Sequence, residues 1–198
     1  MKTLFSVFLF ISLSFVSAEE VILPKKDQIV QHRGTSSTKD GVRIQTGELD
    51  DTNHGPISLY NIPFQNATIS FSWKVNKEQK VMFLLDGKRN GKATHHLKVY
   101  FNGRPGLKSK SDMLTIMTYD GSTKAKKKAT FNNNKYHAKP GEWHKTSITI
   151  EGKKVTVDIN DKTFTATSEK FLQGTQRIGI GNYTDSIYTK DFKIIKKK

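Results

Sequence analysis

This sequence predicts an all-β protein, a two-sheet antiparallel jelly-roll sandwich, and three observations carry that expectation. Nearly every periodic segment alternates apolar and polar residues with period two. The alternating runs are short and separated by turn residues. No run long enough for a helix keeps an apolar face at helical spacing. About eleven such strands do not pack as one flat open sheet, so two sheets face to face, joined by jelly-roll connections, are expected.

The chain has 198 residues. It opens with Met1, Lys2 and Thr3, an uncharged apolar run from Leu4 to Phe15, and the small-residue site Val16-Ser17-Ala18 before Glu19. That order is the pattern of a cleaved export signal, and the run is too short to span a bilayer. Residues 1–18 are therefore read as a signal peptide, 19–198 as a single β-sandwich domain, and the protein as secreted or periplasmic. A domain of about 180 residues buries enough surface to fold without staples. It needs to, because the chain has no cysteine. Disulfides, thiol catalysis and thiolate metal sites are excluded with it.

Taken in order, strands are expected at 42–46, 57–61, 67–75, 80–86, 96–101 and 113–119. In 67–75, Ile69, Phe71, Trp73 and Val75 share one face and Thr68, Ser70, Ser72 and Lys74 the other. The segment 81–85 is apolar on both faces, which suits a central strand. Pro140-Gly141 breaks the chain before Trp143, and the turns Glu151-Gly152-Lys153 and Asn160-Asp161-Lys162 divide 146–167 into a three-strand meander. Later strands put Ile178 with Ile180 and Phe192 with Ile194 inward. The expected core includes Phe71, Trp73, Phe83, Trp143, Ile150, Val157, Ile180 and Phe192. Two long loops, 102–112 and 120–139, are expected to carry Lys108, Lys110, Lys124, Lys126, Lys127, Lys128, Lys135 and Lys139.

Charge narrows the partners. Lys and Arg number 33 against 18 Asp and Glu, a formal net charge of +15. Such a surface attracts polyanions: acidic or sulfated polysaccharide, anionic envelope polymers or nucleic acid. Nucleic acid is disfavoured, because the basic residues are dispersed with no basic helix and no aromatic RNA-reading motif.

Candidate chemistry is sparse. Glu48 with Asp50, and Asp50 with Asp51, are the nearest acidic pairs, and neither has the placement a glycosidase needs. Adjacent His95 and His96 would face opposite sides of a strand and cannot chelate one ion together. A calcium site from Asp50, Asp51 and the loop around His54 does not have EF-hand spacing, so no metal and no cofactor are assigned. Asn66-Ala67-Thr68 and Asn182-Tyr183-Thr184 match the glycosylation sequon, relevant only in a eukaryotic secretory pathway. The binding reading rests on strand alternation: His96, Lys98 and Tyr100 should share a face opposite Leu97, Val99 and Phe101, and Tyr119 should join them from the neighbouring strand. With Asp86 at the end of an apolar strand, these form an aromatic and basic platform for a saccharide, with Lys124, Lys126, Lys127 and Lys128 as an anion-attracting rim.

The second half of the chain carries a family resemblance. Lys139-Pro140-Gly141-Glu142-Trp143-His144, the hairpin from Ser147 through Glu151-Gly152-Lys153 to Asn160-Asp161, the strand Gln176-Arg177-Ile178-Gly179-Ile180-Gly181 and the closing Thr189-Lys190-Asp191-Phe192-Lys193-Ile194 resemble the concanavalin A-like lectin/glucanase sandwiches. Among these the chain is most similar to the 3-keto-disaccharide hydrolase domain family of secreted bacterial proteins. The resemblance spans residues 40–195 and is most specific in the last third. It implies the sandwich fold and hydrolysis of 3-keto-glycosides or related saccharides. The first half departs from the family pattern at 80–87 and 95–100, where family activity would reside. The expected function is therefore a secreted carbohydrate-binding or cell-surface glycan-interaction module favouring anionic saccharide. A carbohydrate-active hydrolase and a general polyanion binder are the alternatives, and no catalytic residue is assigned.

Overall fold

The computed structural model describes residues 19–49, 55–89, 92–102, 112–119 and 129–197. Within them lie fifteen strands: β1 (Glu20–Ile22), β2 (Ile29–Arg33), β3 (Thr35–Lys39), β4 (Val42–Thr46), β5 (Ile57–Tyr60), β6 (Ala67–Val75), β7 (Val81–Arg89), β8 (Lys92–Phe101), β9 (Met113–Tyr119), β10 (Ala129–Lys135), β11 (His144–Glu151), β12 (Lys154–Ile159), β13 (Lys162–Thr167), β14 (Arg177–Asn182) and β15 (Ser186–Lys196). Two short 3-10 turns, Lys26–Gln28 and Glu169–Gln173, complete the described elements.

Among the described residues the strands form two antiparallel sheets. One runs β13-β12-β11-β6-β15-β4-β3 with β1 beside β15, and the other β10-β9-β8-β7-β14-β5-β2. The expected two-sheet jelly-roll sandwich is what the chain adopts, and the meander is β11-β12-β13. β7 is central, between β8 and β14, as its two apolar faces anticipated. Missed by the sequence reading were β1, β2, β3 and β10, the last inside a segment expected to be loop. Edge strands such as β3, Thr-Ser-Ser-Thr-Lys, need bury little apolar surface, so they carry no strong alternation.

Alternation determines what fills the space between the sheets. In β6 every odd residue from Ala67 to Val75 is buried and every even one half-buried. Rings interlock across the layers: Phe71 stacks on Phe83 with centroids 5.7 Å apart, and Trp73 meets Phe101 at 5.0 Å. The Trp73 indole N–H donates to Thr146 Oγ1 at 3.0 Å, so the largest core side chain buries no unsatisfied donor. Phe71, Trp73, Phe83, Ile150, Val157 and Ile180 are buried as expected. Phe192 is half-buried against the core, stacked on Tyr60 at 4.3 Å.

Trp143 is a correction. It is 37% exposed, and its neighbour His144 takes the inward position beside Trp73 at 4.8 Å. Carried back from Ile148 and Ile150, the period-two pattern puts Thr146 and His144 inside and Trp143 outside.

Candidate functional site on the outer face of the seven-stranded sheet

The face of this sheet turned away from the core is not a plain solvated surface. Two apolar clusters separate from the core line it: Ile57, Leu59 and Leu84 on one side, and Tyr100, Met117 and Tyr119 with Met82, Ala129 and Tyr183 on the other. Beside the second cluster Asp86, 1% exposed, lies between two cationic or protonatable partners. Arg177, its register partner on β14, donates from Nε to Asp86 Oδ2 at 2.8 Å, and His95 Nδ1 lies 2.6 Å from Oδ1.

Burial works to raise the Asp86 pKa, but the hydrogen bonds and charges of His95 and Arg177 outweigh it and hold the carboxyl below its ordinary value. Ionised, Asp86 can only accept, so His95 Nδ1 carries the proton at that contact and Nε2 is left as an acceptor when the ring is neutral. The His95 ring lies 5.6 Å from that of Tyr119, and Lys98 Nζ sits 5.9 Å from the same ring. Burial lowers the Lys98 pKa, partly offset by the Asp86 charge. Tyr100 and Tyr119 are pushed far above the usual phenol range, chiefly by burial, so both stay neutral hydroxyls.

Four of the expected residues, Asp86, Lys98, Tyr100 and Tyr119, are brought together on this face; His96 is not. Leu85 pairs with Leu97 and Asp86 with His95, so His96 is the extra residue of a β-bulge in β8. The bulge shifts the alternation by one: His95 joins Lys98, and His96 turns to the core side, fully buried, with its ring against Gly87. Neither His96 nitrogen has a hydrogen-bond partner, and burial with the nearby Lys170 charge brings its pKa down to about 4. The tyrosines correct a second detail. At 3% and 5% exposure, Tyr100 and Tyr119 present no bare ring face, and His95, Lys98, Arg177 and Tyr183 are among the groups that reach solvent.

His95 and Arg177 are the site residues that sequence reasoning missed. A single inserted residue in a ladder leaves no mark on hydrophobic periodicity, and Arg177 meets Asp86 only through the pairing of β14 with β7. The expected rim of Lys124, Lys126, Lys127 and Lys128 lies outside the described residues, as do Lys108, Lys110, Asp50, Asp51, His54 and the 1–18 segment. Asn182 of the second sequon is 2% exposed, accepting from Gln45 and donating to the carbonyls of Thr184 and Asp185, so it is inaccessible in the folded chain.

A family model described as the 3-keto-alpha-glucoside-1,2-lyase-like domain matches residues 25–195. The chain belongs to this family. No curated protein matches it. Among solved structures, this 3-keto-alpha-glucoside-1,2-lyase-like domain is similar to the carbohydrate-binding module CBM66 from Bacillus subtilis, at 9% identity with a TM-score of 0.59, covering 84% of this chain and 94% of that one. It is also similar to the Crh5 transglycosylase, at 13% identity and a TM-score of 0.61, covering 90% and 84%. A third is the family 7 alginate lyase A1-II', at 12% identity and a TM-score of 0.55, covering 81% and 82%. At these identities the likeness establishes the fold this domain shares with them, a concanavalin A-like sandwich.

Proposed function

We propose that this protein binds a saccharide on the outer face of the seven-stranded sheet, where His95, Lys98 and Arg177 surround the buried Asp86, and that it prefers an anionic one. The observation that carries this reading is the Asp86 cluster itself. A buried carboxylate with two partly exposed basic partners supplies fixed donors for hydroxyls and carboxylates. Family membership and the module-like neighbours support a sugar as the ligand, and the charge of +15 supports an acidic one. Residues 1–18 are proposed to direct export, with Glu19 as the first residue of the mature chain; mass spectrometry of exported protein retaining Met1 would refute that part.

A glycan array of neutral and uronate oligosaccharides tests the binding reading with wild type, Lys98→Gln, His95→Asn and a variant with Lys126, Lys127 and Lys128 changed to Gln. The proposal expects the first two variants to lose uronate binding and the third to keep most of it. Binding that vanishes in the loop variant alone, and falls steeply with salt for every polyanion offered, would replace it with the general polyanion reading.

A second reading is favoured by the 2.6 Å contact of His95 Nδ1 with Asp86, which leaves Nε2 as a positioned proton acceptor. A ketone at C3 of a glucoside acidifies the hydrogen at C2. Transfer of that proton to Nε2 lets the C2–H electron pair form a C1=C2 double bond while the C1–O bond breaks and the aglycone departs, taking up a proton. Release of aglycone from a 3-keto-α-glucoside by wild type, abolished in His95→Asn, would establish this reading; no release by wild type would exclude it.

A further inference from the structure

The opposite outer face, on the eight-stranded sheet, carries a second surface independent of the Asp86 cluster. Trp143, held out of the core just before β11, is flanked by two ammonium groups: Lys190 Nζ lies 4.5 Å and Lys74 Nζ 5.4 Å from its ring centroid. Lys74 is also 5.1 Å from the ring of Tyr188. Strand register organises the surroundings. Lys145 pairs with Ser72, and Ser72 with Lys190, so the three share one row across β11, β6 and β15, and Lys74 pairs with Tyr188 in the next row. Two strand spacings set the Lys145 and Lys190 backbones about 9 to 10 Å apart. Ser70 and Ser147, paired with each other, extend the same face with hydroxyls.

Lys74, Lys145 and Lys190 form no ion pair among the described residues. The nearby carboxylates are engaged by hydroxyls: Asp191 accepts from Ser72 at 3.4 Å, and Asp158 from Ser147 at 3.2 Å and Thr163 at 2.6 Å. Glu142 faces Lys139 at 3.9 Å. The result is an exposed indole, an aromatic partner and three cations that form no ion pair among the described residues, on a hydroxyl-bearing sheet face.

We infer that this face is a second binding site, for a linear acidic polysaccharide. The CH face of a pyranose packs on an aromatic ring, its hydroxyls meet Ser72 and Ser70, and a carboxylate on each sugar is matched by ammonium groups already drawn to the ring. Nucleic acid offers phosphates at the surface but keeps its bases stacked, and a single exposed indole is a poor stacking platform for a strand.

Polygalacturonate serves as the probe. Of the two tryptophans Trp73 is fully buried, so acrylamide quenching of the intrinsic fluorescence reads Trp143. Polygalacturonate should protect Trp143 from acrylamide. The double variant Lys74→Gln with Lys190→Gln should bind about tenfold more weakly or worse, while removal of the same charge elsewhere, in Lys25→Gln with Lys26→Gln, should cost less than about twofold. Affinity is read as the midpoint of Trp143 protection, which polygalacturonate held at the Asp86 cluster leaves unchanged, and this keeps the test separate from that of the other sheet. The inference is overturned if polygalacturonate binds without protecting Trp143, if the two double variants lose equally, or if a single-stranded DNA of equal charge binds as tightly.

Discussion

His96 shows how one side chain can tie stability to pH. Its nitrogens are buried without partners and its pKa is held at about 4, whereas in the unfolded chain it titrates near 6.5. Between those values the unfolded chain holds a proton that the folded one excludes. Stability should be full above pH 6.5 and fall by roughly 3 kcal/mol as pH drops toward 4. Asp86 has the opposite standing: its pKa is depressed, so its contribution is present above its ordinary value of 3.8 and is lost only as pH falls further. Urea unfolding across this range should show the decline in wild type and a flat profile above pH 4 in His96→Phe; an equal decline in both would remove His96 as its source. Gly87 is bound to the same ring, since a Cβ there would come within 2.0 Å of His96 Cε1. Gly87→Ala should therefore cost about 1 to 3 kcal/mol in the same measurement.

At the scale of the element, β11 and its entry separate two tryptophans by role. Trp73 on β6 lies between the sheets, and Trp73→Ala should cost about 3 to 5 kcal/mol through lost contacts, a cavity and an unmatched Thr146 hydroxyl. Trp143→Ala, on the solvent side, should cost under about 1 kcal/mol. Chemical denaturation of the two variants checks the contrast, and equal losses would mean that Trp143 has a structural role that its exposure conceals. The bulge in β8 acts at this scale too. By admitting one residue without a register partner it brings His95 to Asp86 while leaving Leu97, Val99 and Phe101 in the core.

Charge governs the behaviour of the whole molecule. A net +15 on a chain with few described ion pairs makes the compact state self-repelling, and the exposed pairs contribute little against it. Raising NaCl from about 20 to about 200 mM should therefore raise the melting temperature by scanning calorimetry, because the screening length falls below the spacing of the surface lysines. A melting temperature that falls with salt would mean that the surface charges are arranged attractively. The two sheets also divide the cationic surface between them, with the Asp86 cluster on one outer face and the Trp143 row on the other, so ligands of the two faces should bind without competition.

Period-two alternation by itself determined the sandwich, the bounds of β4, β6 and β9, the meander and most of the core, because burying one face of a strand forces every second residue to be apolar. It also held enough to put Trp143 outside, once the parity of Ile148 and Ile150 is carried back to His144. Where a local irregularity or a distant partner decides, the pattern is silent. The exchange of His95 for His96 follows from one inserted residue whose presence is defined only by the strand across from it. Arg177 reaches Asp86 because β14 pairs with β7, a contact across 91 positions of chain. Tyr100 and Tyr119, polar-face residues by alternation, are buried because apolar neighbours on both sides close over them. Alternation records which side of a strand a residue faces; only the assembled sheets decide what meets it there, since pairing register and cross-strand contact are properties of two segments and not of one.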